Sequence, residues 1–157
     1  IFNIKGSKSR YVIKKKFKVS FRNFMRFGAV RITFRRKSVT KHGIYFNLHF
    51  GGGTEYSAGE DTLFLHECLK KGLKIIAVPE YIATLLDNRE STWFKGYTNK
   101  FFIDRGALFA AISKKWAWLL CLQFCIRHRK RFKKDKSCIE AFKLMLLGIK
   151  DFMGEEY

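Results

Sequence analysis

Acidic residues are absent from the first 41 positions, which hold fourteen Lys and Arg. That leaves an unneutralised arm, of the kind that attracts phosphates on nucleic acid or on an anionic leaflet. Proline occurs once, at Pro79, and there is no low-complexity linker or internal repeat. A helical membrane span needs about 20 apolar residues, and the apolar run Trp116–Ile126 stops at eleven. The four cysteines, Cys68, Cys121, Cys125 and Cys138, follow no metal spacing. Cys121 and Cys125 share a helix face near His128, but buried thiols of a reducing compartment fit them better than a metal site. A disulfide framework does not suit a chain of this size and core content. Residue 1 is Ile and no signal-peptide pattern follows, a start expected equally of a piece of a longer protein and of a processed product.

What is present is enough for one domain with a real core: 157 residues, 47% hydrophobic and 17% aromatic. The net charge is +19, unevenly spread. Residues 42–106 hold seven basic and eight acidic residues, and residues 107–157 hold eleven and five. A near-neutral middle is flanked by two basic arms.

Short β-rich runs occur at Tyr11–Ile13, Val30–Phe34 and Ile44–Phe46. In the second, Arg31, Thr33 and Arg35 alternate with Val30, Ile32 and Phe34, as on a half-exposed strand. The glycines Gly51, Gly52 and Gly53 follow, a loop free to bend, to move or to approach a ligand closely; an ordinary connector explains them equally. Residues 60–71 read as a helix, with Phe64 over Cys68 and Leu65 over Leu69. Glu60 and Asp61 suit its N-terminal dipole, Lys70 and Lys71 its C-terminus, and Gly72 supplies the stop. Leu73–Val78 then reads as a buried strand ended by Pro79. The order of helix, glycine, strand and proline makes an α/β unit.

Residues 91–105 mix aromatics with polar groups. Ser91 or Thr92 can cap a helix, and Trp93 and Tyr97 are spaced to share a face. Such faces suit sugar rings, but spacing alone favours core packing. Beyond Gly106 the chain turns apolar, interrupted by Lys114 and Lys115. The block Arg127–Lys136 holds seven basic residues, His128 and one acid, Asp135. A final helix repeats Ile139, Phe142, Leu146, Ile149 and Met153 on one side. Two apolar helices joined by a basic block pack as a hairpin, or lie in a membrane interface with Trp116 and Trp118 at headgroup level. The membrane surface is the preferred expectation.

The adjacent carboxylates Glu60 and Asp61 are the best candidates for a group that takes a proton. On composition alone, helix capping explains them as well, and one pair without a third ligand is a weak metal signal.

The blocks around them carry a resemblance. Gly59-Glu60-Asp61-Thr62-Leu63-Phe64-Leu65, then Lys70-Lys71-Gly72-Leu73-Lys74-Ile75 and Pro79, resemble the acceptor-side half of glycosyltransferase family 2. Ser91-Thr92-Trp93-Phe94-Lys95-Gly96-Tyr97, Lys100 and Asp104-Arg105-Gly106 resemble the stretch that follows in bacterial members building capsule, O-antigen or other surface polysaccharides. Roughly residues 30–112 are covered, with the blocks in the family's order. The resemblance implies an α/β fold with a partial Rossmann-like sheet of the glycosyltransferase A type over residues 1–106. A basic extension of amphipathic helices at a membrane surface would follow over residues 107–157. It also implies inverting transfer from a nucleotide-sugar donor to a glycan or lipid-linked acceptor, at the cytoplasmic face of the plasma membrane. Asp61 would be the general base with Glu60 beside it. Trp93, Ser91, Thr92 and Tyr97 would line the substrate pocket, and Gly52 and Gly53 would border it.

The family's opening strand and turn for the nucleotide base, and its Asp-x-Asp motif for metal and diphosphate, have no counterpart here. The sequence is therefore expected to be the C-terminal part of such an enzyme, inactive alone. The divalent Mg or Mn ion of the whole enzyme would have its ligands outside this chain. The chief rival is a nucleic-acid-binding module built on the basic, aromatic-rich first 41 residues. A second is a non-catalytic, membrane-associated domain.

Overall fold

A computed structural model describes residues 1–6, 11–85, 94 and 96–154. The chain is mixed α/β and divides into two compact units. Unit 1 comprises Ile1–Asn47 and Glu60–Ser91; unit 2 comprises Leu48–Gly59 and Thr92–Tyr157. The boundary expected between residues 106 and 107 falls inside a continuous helix of unit 2, Asn99–Ile112.

Among its described residues, unit 1 contains four short strands: β1 (Asn3–Lys5), β2 (Phe17–Lys18), β3 (Ile76–Ala77) and β4 (Tyr81–Thr84). They form two separate two-stranded sheets. β1 runs parallel to β4, with Asn3 opposite Tyr81, and β2 runs antiparallel to β3, with Phe17 opposite Ala77. The helices are α1 (Arg36–Lys41) and α2 (Glu60–Lys70).

Helix α2 ends as the residues dictate. Gly72 takes φ +77°, the left-handed conformation that glycine adopts without a Cβ penalty. The Leu73 N–H donates to the Cys68 carbonyl at 2.9 Å and the Gly72 N–H to the Leu69 carbonyl at 3.0 Å. This pair of bonds is a Schellman closure. The chain then enters β3 and reaches Pro79, so the expected strand over Leu73–Val78 is present but shortened to Ile76–Ala77.

The three other expected strands are corrected. Tyr11–Ile13 and Ile44–Phe46 carry no regular structure, and a 3-10 turn, Ala29–Arg31, takes up the start of the run Val30–Phe34. Arg31 does not point outward; it is buried. Its guanidinium donates to the Phe2 carbonyl at 2.8 Å, the Tyr11 carbonyl at 2.9 Å and Asn3 Oδ1 at 2.9 Å. Buried Asn3 in turn donates to the carbonyls of Ile13 at 2.9 Å and Pro79 at 3.0 Å, and accepts from the Ile13 N–H at 3.0 Å. This polar node ties β1 to three distant segments and satisfies backbone groups that short strands leave unpaired.

Unit 2 is helical: α3 (Asn99–Ile112), α4 (Ala117–Phe132) and α5 (Cys138–Gly154). Thr98 caps α3, its hydroxyl accepting from the Phe101 N–H at 3.2 Å. Ser137 and Glu140 form a reciprocal capping box on α5: Ser137 N–H to Glu140 Oε2 at 2.8 Å, Glu140 N–H to Ser137 Oγ at 3.2 Å. The Ser137 backbone N–H and then the Ser137 hydroxyl, both acting on the carboxylate, hold the Glu140 carboxyl below the usual range.

Helices α3 and α5 cross at backbone contact. A Cβ on Gly106 would lie 1.9 Å from the Met145 carbonyl oxygen, and one on Gly148 would lie 1.9 Å from that of Ile103. The packed face of α5 is therefore Ala141, Met145 and Gly148. The expected stripe holds in part: Phe142 and Ile149 pack against the core, whereas Ile139, Leu146 and Met153 are exposed, because close approach selects small residues at the seam. Buried Phe102, Phe109, Cys121, Cys125 and Phe132 complete this core. Among the described residues, no helix is long and apolar enough to cross a membrane.

Candidate functional site

Glu60 and Asp61 occupy the first turn of α2, both half-buried. Asp61 Oδ2 accepts the Ala29 N–H at 2.7 Å, the donor that opens the 3-10 turn Ala29–Arg31. A Cβ on Gly28 would stand 3.6 Å from the same oxygen, an ordinary contact, so the turn does not require glycine there. Burial pushes the Asp61 carboxyl above its ordinary pKa. The Ala29 N–H pulls the other way, and the neighbouring Glu60 charge raises it further. A carboxylate made more basic, and fixed by one backbone donor, is equipped to accept a proton.

One turn along α2, buried Phe64 lies between two aromatic rings. Phe46 stacks on it at 4.4 Å between centroids and Phe34 leans on it at 5.0 Å. Phe46 and Phe34 remain 43% and 49% exposed, so aromatic surface faces solvent on this side of α2. Neither ring stood out in the sequence, because both fell in runs expected to be strands. Beneath them runs a cleft of about 400 Å³, whose lining includes Phe34, Arg35, Ser38, Phe64, Cys68 and Lys74. Glu60 and Asp61 are not among its lining residues. Burial pushes the Cys68 thiol up, so it stays protonated and unreactive. Behind the helix, His66 packs against Phe21 and Phe24, each with ring centroids 5.7 Å away. Burial lowers its pKa, with Lys70 contributing in the same direction and Glu67 opposing.

The remaining expected residues belong to unit 2 or lie outside the described residues. Gly52 and Gly53 are exposed, in a loop closed by backbone bonds from Gly51 N–H to Tyr56 O at 2.8 Å and Tyr56 N–H to His49 O at 3.0 Å. Gly51 and Gly53 adopt φ of +134° and +84°, so the turn requires glycine at both. Asp104 pins the following strap. Its buried carboxylate accepts the Ser57 N–H at 3.1 Å, the Ser57 hydroxyl, and Lys100 Nζ at 2.8 Å. Lys100 also donates to the Glu55 carbonyl at 2.7 Å. Asp104 and Lys100, which entered only as part of the resemblance, are thus an i, i+4 pair holding a loop. Tyr97 precedes α3 instead of lying on a helix, and its ring packs on Phe94, Phe101, Phe102 and Phe132. Ser91, Thr92 and Trp93 lie outside the described residues.

Among the described residues, no three His, Cys, Asp or Glu side chains converge to hold a metal ion. The Cys121 thiol, pushed up to about 12 by burial, and that of Cys125, pushed up to about 11, are core groups. Set against known protein families, characterised proteins and solved structures, the chain matches none of them.

Proposed function

We propose that this chain is the acceptor-side part of an inverting glycosyltransferase resembling family 2. It would move a sugar from a nucleotide-sugar donor to a glycan or lipid-linked acceptor in bacterial surface-polysaccharide synthesis, at the cytoplasmic face of the plasma membrane. The observation that carries the proposal is the half-buried Asp61 carboxylate, raised in pKa at the start of α2. The succession of acidic first turn, Schellman glycine and strand supports it. On this reading the short strands belong to a Rossmann-like sheet, and the donor-binding half with its Mg or Mn ligands falls outside this sequence.

In the reaction, Asp61 takes the proton of the acceptor hydroxyl as that oxygen attacks the anomeric carbon. The nucleoside diphosphate leaves from the opposite face, so the configuration inverts. The Ala29 N–H fixes one carboxylate oxygen during the transfer. Burial keeps Asp61 basic, and the Glu60 charge adds to it. Phe34 and Phe46 offer the apolar faces on which a sugar ring can rest.

The test is sugar transfer by the polypeptide that includes the donor half. Asp61→Asn is expected to lower kcat by about 10²–10⁴-fold. Transfer at the wild-type rate by that variant removes Asp61 as the base. Loss of acceptor proton removal also predicts a pH–rate profile that falls on the acid side, with its midpoint above that of an ordinary carboxylate.

A further inference from the structure

The space of the cleft beneath Phe34 and Phe64 has no part in the proposed transfer. Every residue that lines it belongs to unit 1. Its volume of about 400 Å³ falls within the range of small-molecule sites, about 300–1,000 Å³. The lining is mainly apolar. Ile32 precedes α1 and Val39 lies on it, Phe64 and Leu65 come from α2, and Ile75 and Val78 flank β3. Ile32, Ile75 and Val78 are only half-buried, so apolar surface is left for a ligand to cover.

Backbone groups around the cleft are already paired. The Phe2 N–H donates to the Arg31 carbonyl at 3.0 Å, and the Phe2 carbonyl accepts Arg31 Nε at 2.8 Å. The Val78 N–H donates to the Ile1 carbonyl at 2.9 Å, and the Ile75 carbonyl accepts the Val19 N–H at 2.8 Å. With those groups satisfied, an apolar body suits the interior better than a polar one. The charged residues of the lining are Arg35 and Lys74, and no described Asp or Glu joins them. Both are exposed, so their charges lie at the solvent edge of the cleft. Neither side chain takes part in an ion pair among the described residues. A guanidinium fork matches a carboxylate or a phosphate with two parallel bonds.

We propose that the cleft holds a single-chain anionic amphiphile, its hydrocarbon chain among the apolar side chains and its carboxylate or phosphate against Arg35 and Lys74. Charge complementarity selects this occupant. A neutral lipid or an apolar peptide segment would leave both cations idle, and a sugar phosphate would leave the apolar interior uncovered. The inference rests on the cleft alone and stands apart from the role of Asp61, which does not line it.

The experiment is calorimetric titration of the full chain with dodecanoate and with dodecyl phosphate, each below its micelle concentration. One molecule should bind per chain, and whichever head group binds more tightly identifies the ligand as a fatty acid or a lipid phosphate. Shortening dodecanoate to decanoate should weaken binding roughly fifteenfold, at about fourfold per methylene. Dodecanol, which lacks the charge, should bind roughly tenfold or more weaker. Arg35→Gln with Lys74→Gln should weaken both anionic ligands by a similar factor and leave dodecanol unchanged. Arg129→Gln with Lys130→Gln, in unit 2, removes the same charge and should leave all binding unchanged. Circular dichroism should show wild-type helix content in both double variants, as all four positions are exposed. Equal weakening by the two double variants would mean general attraction to a basic chain and overturns the inference. So does dodecanol binding as tightly as dodecanoate, or a wild-type chain that binds neither anionic ligand.

Discussion

Unit 1 and unit 2 are held together in opposite ways. In unit 1 the strands are two to four residues long and occur in two separate pairs. Such pairs are marginal by themselves, and the order of the unit depends on a buried guanidinium and a buried amide that collect four carbonyls from three segments. In unit 2 three helices bury an aromatic and sulfur-rich core, and two of them touch backbone to backbone at Gly106 and Gly148. A fold held by a polar node is sensitive to loss of a donor; one held by close packing is sensitive to gain of volume. The candidate base lies in the first kind, where half-burial of a carboxylate is tolerated because one backbone donor holds it.

That contrast can be broken from either side, with backbone hydrogen exchange reading the two units separately. Arg31→Met keeps the volume of the side chain's stem but takes the guanidinium donor from the part-buried Phe2 and Tyr11 carbonyls and from buried Asn3 Oδ1. It should destabilise unit 1 by about 3–4 kcal/mol, with exchange in α4 and α5 unchanged. Gly106→Ala should do the reverse. The added methyl group meets the Met145 carbonyl, forcing α3 and α5 apart at about 3 kcal/mol, while β1 and α2 keep their protection. If either substitution loosened both units equally, the distinction between them would fail.

A smaller effect sharpens the picture of unit 1 through pH. The His66 pKa is lowered in the folded state, so the unfolded chain takes up a proton first as pH falls. The contribution of this group is fully present above the unfolded value of about 6.5 and is lost as pH falls from there through the folded pKa. Thermal unfolding of wild type and His66→Gln, compared at pH 7.5 and 5.5, should show wild type losing more on acidification. Equal losses would mean that the ring is not held neutral between Phe21 and Phe24.

Part of this architecture is legible in the residues. Helix α2 announces itself at both ends, by Glu60 and Asp61 at the start and by Lys70, Lys71 and Gly72 at the finish, because capping chemistry is local. The helices α4 and α5 follow from apolar content and a basic turn. The Ser137-x-x-Glu140 box was also available as a start signal for α5. What depends on distant partners was not legible. The alternation of Val30, Ile32 and Phe34 with Arg31 suggests an outward Arg31, but Asn3, Phe2 and Tyr11 recruit its guanidinium inward and the segment curls into a turn. Of the apolar stripe expected on α5, Phe142 and Ile149 do pack against the core; the buried seam itself runs through Ala141, Met145 and Gly148, where α3 approaches too closely for bulk. An isolated glycine inside each of two helical patterns was the one available hint of that crossing. For the site, the acidic pair was visible at once. The Ala29 donor and the Phe34–Phe64–Phe46 stack required three segments brought together in space.

The central claim is that Asp61 serves the reaction and not merely the turn at Ala29. Its folded-state pKa is raised, so at neutral pH the folded chain bears a carboxylate that burial disfavours. Asparagine removes that charge and keeps an oxygen to accept the Ala29 N–H. The decisive measurement therefore sets sugar transfer against Tm for Asp61→Asn in the polypeptide containing the donor half. Transfer reduced by about 10²–10⁴-fold with Tm held or raised is the expected result. Wild-type transfer with a lowered Tm would contradict it and leave Asp61 as a structural anchor.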